Sequence, residues 1–364
     1  MVEPNAGIEL RYFDPETLRR QMESILLAWG AQEDYAKTTA EVLLWADMSG
    51  VESHGVSMIP VYDRRRRNNQ MTLEARGEVV QRGPTTALID GHGGLGHPIG
   101  KMAMQLCMEM AKEHGVGSVA VRNSSHYGAA GYYSQMAARQ DLIGFTVTSG
   151  SAPRVTPTFG AEPKFSTNPL AFAVPAGRNP QFNLDMATST VANGRIRNQA
   201  NEGLPLPRGW ATDSEGRPTT DVDAYAKGGM MTPLGGTPEL SSHKGYGLAA
   251  MVEILSCGLS GASLVTSEGH TRRTPGSMEL GHFFMAIDPA LFRPLEAFKQ
   301  SVDDLIDDLH ATKPIDPAQP VMVADEPQVK NRTLRAKTGI PIPPGLLGQV
   351  RDVARNCNVE FLLE

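Results

Sequence analysis

Gly91-His92-Gly93-Gly94-Leu95-Gly96 is the stretch on which the fold turns. It fits G-x-G-x-x-G and stands where a dinucleotide fingerprint would. Before it, Thr85 to Asp90 reads as a strand; after it, Ile99, Met102, Ala103, Leu106 and Met110 recur at helical spacing until Gly115. The next short apolar strand, Ser118 to Val121, runs on into Arg122-Asn123. The fingerprint requires an acidic side chain at the end of that strand to hold the ribose hydroxyls, and there is none. A histidine is also crowded into the turn. The glycines therefore read better as allowing close backbone packing than as a phosphate cradle.

Outward from this stretch the pattern is α/β. Further strands are expected at Ile143 to Thr148, Leu170 to Val174 and His282 to Ile287, with a strong helix from Lys244 to about Leu259. Upstream, Asp14-Pro15 supplies a cap and a favourable first-turn proline, and Leu18, Met22, Ile25, Leu26 and Trp29 recur at helical spacing until Gly30. A second helix is expected from Glu33 to about Ser49, ending at Gly50. Asn198 to Gly236, rich in Gly, Pro and charge, reads as a long excursion over the surface or toward a neighbouring subunit. Helix returns from about Leu291 to Leu309, and a last amphipathic segment spans Leu346 to Ala354.

The chain has 364 residues, 40% apolar and 20% charged, enough for two domains sharing a large core. Its formal net charge of -6 argues against nucleic acid or an anionic membrane as partner, which leaves small molecules as the default ligand. Met1-Val2-Glu3-Pro4-Asn5 lacks the basic start and apolar core of a signal peptide. No apolar run approaches the roughly 18 residues of a membrane span, so the cytoplasm is the expected location. Cys107, Cys257 and Cys357 have no paired spacing for a metal knuckle, redox pair or disulfide framework, and read as buried thiols. His92 and His97 have no carboxylate or thiolate set to complete a metal shell, so no metal site is expected.

Several segments carry candidate chemistry. Glu52-Ser53-His54-Gly55-Val56 sets a histidine beside a hydroxyl where a helix has just ended, as a general acid/base is often built. The basic run Arg64 to Arg67 follows, which reads as a solvated face or a contact for a phosphate or acidic surface. Asn123-Ser124-Ser125-His126-Tyr127-Gly128-Ala129-Ala130-Gly131 puts small residues and a histidine where a strand gives way to a helix. Phe165-Ser166-Thr167-Asn168-Pro169 is a polar turn. In Asp185-Met186-Ala187-Thr188-Ser189 the aspartate either caps a helix or orients an imidazole. Ser242-His243-Lys244-Gly245-Tyr246-Gly247 opens a helix with a histidine and a cation. Arg332 and Arg335 bring two basic side chains near the C-terminus, where they are candidates to neutralise a 2'-phosphate.

In this order and spacing, Ser53-His54-Gly55-Val56, Asn123 to Gly131, Phe165 to Pro169, Asp185 to Ser189 and His243 to Gly247 closely resemble the type-2 malate/L-lactate dehydrogenase family of NAD(P)-dependent oxidoreductases, over essentially the whole chain. The resemblance implies a largely antiparallel-sheet cofactor domain unlike the usual Rossmann fold, at residues 77–289. Beside it would lie a helical domain formed from both chain ends, residues 1–76 plus 290–364, in a homodimer. It implies that His54 exchanges a proton with the substrate oxygen, with Ser53 beside it and Asp185 holding the imidazole, and that His126 faces the substrate. Gly128, Ala129, Ala130, Asn168, Asp185, Met186, Ala187, His243, Lys244, Glu326, Pro327, Gln328 and Val329 would approach NAD or NADP beside His54.

Many members carry an arginine four residues after the catalytic histidine, where it can fork onto a substrate carboxylate. Here that position is Met58, and Val56-Ser57-Met58-Ile59-Pro60 looks like the hydroxycarboxylate dehydrogenase branch. The expected reaction is interconversion of a 2-hydroxy acid and its 2-oxo acid by hydride transfer, with malate or another dicarboxylate disfavoured by the missing arginine. Reduction of a cyclic imine at the same site is the alternative. Ser53, His54 and Asp185 are also the residue types of a hydrolase triad, but adjacent residues pair poorly and no G-x-S-x-G elbow surrounds Ser53. A pure binding protein would turn over nothing with NAD(P)H.

Overall fold

The computed structural model describes residues 10–266 and 278–364, so the expectation drawn from Met1 to Asn5 lies outside the described residues. Twelve strands are described: β1 (Arg11–Phe13), β2 (Glu78–Arg82), β3 (Thr86–Asp90), β4 (Val116–Ser124), β5 (Ile143–Thr148), β6 (Leu170–Val174), β7 (Phe182–Met186), β8 (Ala211–Thr212), β9 (Pro218–Thr219), β10 (Met230–Met231), β11 (Leu280–Ile287) and β12 (Ile340–Ile342). Eleven α-helices accompany them: α1 (Pro15–Ala28), α2 (Glu33–Met48), α3 (Met58–Arg67), α4 (Gly96–His114), α5 (Ala130–Ala138), α6 (Asn193–Asn201), α7 (Val222–Ala226), α8 (His243–Glu253), α9 (Leu295–His310), α10 (Glu326–Thr338) and α11 (Pro344–Asn356).

A seven-stranded sheet in the order β2-β3-β4-β11-β5-β6-β7 forms the centre, antiparallel throughout except for the parallel pair β3 and β4. β11 is buried almost end to end, as a strand covered on both faces must be. Its alternation assigns Phe284 and Ala286 to the core that includes α4 and α5, and Phe283 and Met285 to a second core with Val252 of α8.

The helix joining the parallel pair is α4, which ends on Gly115 at a φ of 89°, the left-handed conformation that favours glycine at a helix end. Its start explains the glycine-rich stretch. A Cβ on Gly96 would stand 2.2 Å from the Ser125 carbonyl oxygen and 2.6 Å from that of His126. One on Gly94 would meet the Ala75 carbonyl oxygen at 2.8 Å, and one on Gly91 that of Asn123 at 2.8 Å. The Gly96 N–H donates to Ser125 Oγ at 3.0 Å, so the α4 N-terminus is filled by the chain's own 125–126 segment. These glycines serve close packing, as their sequence context suggested.

Both chain ends meet the first helices. β1 pairs with β12, Arg11 opposite Ile342, while α10 packs on α2 and α11 on α3. Asp14 caps α1 by accepting from the Thr17 N–H at 2.9 Å. One continuous core joins Leu18, Leu43, Ile340 and Val350 to Ile99 and Cys107 of α4 and Phe284 of the sheet.

Two expectations need correction. Asn198 to Gly236 is not merely an excursion: it holds the three-stranded sheet β10-β8-β9 and buries Leu206, Ala211 and Met231 against Val155, Val191 and Ile196. Strands of two residues are too short to show periodicity among so many glycines and prolines. Of the three thiols, Cys107 and Cys257 are buried but Cys357 is half-buried, and all are free. Among the described residues, no helix is long and apolar enough to cross a membrane.

Candidate active site

The His54 segment is held by the helices around it. After Gly50, a single 3₁₀ turn, Glu52–His54, leads through Gly55 into α3. Asp47, buried near the end of α2, accepts the Val56 N–H at 2.7 Å. A Cβ on Gly55 would lie 1.8 Å from Asp47 Oδ1, so only glycine lets this carboxyl sit beneath the turn. Burial pushes the Asp47 carboxyl up to about 8; the Val56 N–H opposes this, Glu52's charge adds to it, and Arg335 opposes it. Arg335 of α10 closes the arrangement, donating to the Asp47 carbonyl oxygen and to the Glu52 carboxylate.

His54 is half-buried, and Ser53 Oγ lies 2.8 Å from its Nδ1. The His54 and His126 ring centroids are 5.4 Å apart. His126, on the turn between β4 and α5, has Nδ1 2.7 Å from the hydroxyl of Tyr62, and that hydroxyl reaches His97 Nε2 at 3.2 Å. Three elements thus converge: α3 supplies Tyr62, α4 His97 and the β4–α5 turn His126. Burial lowers the imidazoles of His54, His97 and His126, His97 to about 3 and His126 well below the ordinary value, so that His97 and His126 are neutral at pH 7. On β11, His282 stacks on Tyr127 with ring centroids 4.6 Å apart, its Nδ1 2.7 Å from Thr148 Oγ1. Tyr62 and His97 were not singled out for this role by the sequence. Among the described residues no group of three His, Cys, Asp or Glu side chains forms a metal site.

Asp185 is not joined to His54. From β7 it accepts the Gly131 N–H at 2.7 Å and so caps the first turn of α5 from another element, while Ser53 holds the imidazole. Its carboxyl is pushed up to about 6 by loss of surrounding water, with the Gly131 N–H opposing and the charge of Asp325 adding to the shift. Gly128, Ala129 and Ala130 lie buried at the same helix start, Gly128 at a φ of 80°. Asn168 is buried and fully occupied: it accepts from the Ser166 N–H at 3.1 Å and donates to the Ala249 carbonyl oxygen at 3.1 Å and to Glu253 at 2.9 Å. Met186 and Ala187 are half-buried at the end of β7, and His243 and Lys244 stand exposed on the first turn of α8.

Glu326, Pro327, Gln328 and Val329 form the first turn of α10, where Glu326 accepts from the Val323 N–H at 3.0 Å and from His310 at 2.7 Å. Gln328 Oε1 is buried without a hydrogen-bond partner among the described residues. Arg332 forks onto the buried Asp325 at 3.1 and 2.6 Å and donates to Ser49 Oγ at 3.0 Å. Arg332 and Arg335 are thus both engaged within the chain, and neither is free for a 2'-phosphate. A surface cavity of about 420 Å³ lined by Glu41, Lys101, Tyr132 and Arg139 lies apart from the histidines. Within it Glu41 is already paired, with Lys101 at 2.8 Å and with Tyr132 at 2.7 Å.

A description of the malate/L-lactate dehydrogenase family matches residues 13–351, which include every element of this cluster. The chain belongs to that family. Among its relatives, a malate dehydrogenase of Pyrococcus abyssi is 40% identical over 340 residues, 93% of this chain and 92% of that one. Hydroxycarboxylate dehydrogenase B of Escherichia coli K12 is 31% identical over 344 residues, 94% of this chain and 93% of that one. The crystal structure of malate dehydrogenase from Entamoeba histolytica superimposes with a TM-score of 0.91 at 32% identity, covering 97% of this chain and 99% of that one. Family membership accounts for the joint occurrence of the segments from Ser53 to Gly247.

Proposed function

We propose that the protein is an NAD(P)-dependent oxidoreductase that interconverts a 2-hydroxy acid and its 2-oxo acid, with His54 as the acid/base. The observation that carries the reading is the pairing of Ser53 with His54 Nδ1 at 2.8 Å beside His126, in a chain of this family. The dehydrogenase names of the relatives favour the 2-oxo acid over a cyclic imine.

The residues present suit a nicotinamide dinucleotide. Lys244 and His243 stand exposed on the first turn of α8, where the ammonium and the helix N-terminus both favour a pyrophosphate. Gly128 to Ala130, Met186, Ala187 and the first turn of α10 complete the set, with Asn168 acting through the turn it fixes. When bound, the nicotinamide supplies the hydride that reaches C2 of the 2-oxo acid.

His54 Nε2 gives its proton to the substrate oxygen as negative charge develops there, and takes it back in the oxidation direction. Ser53 holds the ring by its other nitrogen. His126, kept neutral and fixed by Tyr62, offers the substrate a hydrogen-bonding edge without adding a second cation. The test is His54→Gln, assayed with a panel of 2-oxo acids and NADH or NADPH. Turnover should fall on the order of 10²-fold or more with cofactor affinity unchanged; retained turnover overturns the assignment.

A further inference from the structure

We propose that Arg65 is the cation that receives the carboxylate of the substrate. This rests on the 2-oxo acid reading above and names the group that anchors such a substrate. Positions 58, 62 and 65 fall on one face of α3, spaced by four and seven residues. Tyr62, the middle one, already has its hydroxyl in the histidine cluster. The missing arginine at position 58 is therefore replaced from the same face, two turns or roughly 10 Å further along.

Arg65 differs from its neighbours in the run Arg64 to Arg67. Arg66 and Arg67 pair with Asp63 at 2.7 and 2.8 Å, and Arg66 also covers the Trp29 ring at 4.9 Å. Arg64 is exposed. Among the described residues Arg65 has no carboxylate partner: its Nη1 is buried without any hydrogen bond, and Nη2 has only a marginal contact with Ser151 Oγ at 3.5 Å. Its guanidinium carbon lies 6.0 Å from the Tyr62 ring centroid, and its charge helps depress the pKa of His126. A buried guanidinium hydrogen-bond donor left unpaired is costly, which marks a place where a ligand belongs. The planar fork fits the two oxygens of a carboxylate, and the neighbouring imidazoles, being neutral, do not compete for it.

The experiment compares each 2-oxo acid with its 2-oxo amide, which keeps the ketone and loses the charge, in the wild type, Arg65→Met and Arg65→Lys. Arg65→Met should lower kcat/KM for the acid on the order of 10²-fold, chiefly through KM, and for the amide less than about threefold. Arg65→Lys, which keeps the charge without the fork, should fall between. Equal losses on acid and amide, or no loss, overturn the proposal. Oxalate binding to the NADH-loaded protein, read by calorimetry, needs no turnover: a loss of about tenfold or more in Arg65→Met supports the assignment. Equal binding by both proteins, or by neither, overturns it. Failure of the wild type to reduce any 2-oxo acid would instead overturn the functional reading, with the oxalate result still deciding the role of Arg65.

Discussion

Asp47→Asn tests whether the buried carboxyl beneath the His54 turn is protonated. In the folded chain this carboxyl titrates at about 8, against 3.8 for the ordinary group. Between those values the unfolded chain has released the proton and the folded chain holds it, so unfolding releases a proton and stability falls as pH rises. The slope is about 1.4 kcal/mol per pH unit, and the whole window from pH 4 to 8 amounts to roughly 5 kcal/mol. Asparagine offers the same acceptor oxygen to the Val56 N–H without ionising. Urea unfolding at pH 5, 6, 7 and 8 should therefore show the variant gaining on the wild type by about 1.4 kcal/mol per pH unit, levelling off above about pH 8. Asp47→Ala, which strands the Val56 N–H, should lose about 1–3 kcal/mol at pH 5. A difference between Asp47→Asn and wild type that does not change with pH would refute the reasoning, because it would mean the carboxylate stays ionised next to Arg335.

Two further outcomes are expected. Burial lowers the pKa of His54, so kcat/KM for hydroxy acid oxidation should rise with pH through a value below the ordinary ~6.5 and be level at neutrality, with reduction falling through the same value; pH–rate profiles showing a free-enzyme pKa above 7 would contradict this. Gly96→Ala drives a methyl to 2.2 Å from the Ser125 carbonyl oxygen, and the overpacking should cost about 1–3 kcal/mol and displace His126, read as a Tm lower by several degrees and a raised KM; an unchanged Tm would rule out the close packing.

What could be read from the sequence followed the strength of the local pattern. β5 and β6 run from Ile143 to Thr148 and from Leu170 to Val174, where the apolar runs predict them, because each is a β-prone stretch closed by turn residues. β7 escaped detection because Asp185 sits inside it: an aspartate before small residues looks like a cap for its own helix, whereas it caps α5 across the fold. His54 and His126 were legible as residues, but their partners were not. Tyr62 belongs to the cluster only through the phase of α3, and His97 only through the start of α4. Arg65 was hidden in a run of four identical side chains, which composition cannot separate; Asp63 pairs two of them, the turn of the helix exposes Arg64, and Arg65 is left with a buried, unpaired nitrogen.

The glycine-rich stretch and the histidine cluster are two ends of one arrangement. Gly96 lets α4 begin against the backbone of Ser125 and His126, and His97 follows it on the first turn. The partial positive charge of a helix start disfavours protonation of an imidazole beside it, in the same sense as burial, which already lowers His97 to about 3. His97 is then neutral, Tyr62 is held between it and His126, and His126 stays neutral in turn. With that pair of imidazoles neutral, Arg65 is the cation over the Tyr62 ring whose charge acts on His126, and in the proposed reaction His54 is left to handle the proton. A turn that looks like a phosphate cradle thus acts through packing: it seats the start of α4 against the 125–126 segment and so places His97 among groups that keep it uncharged.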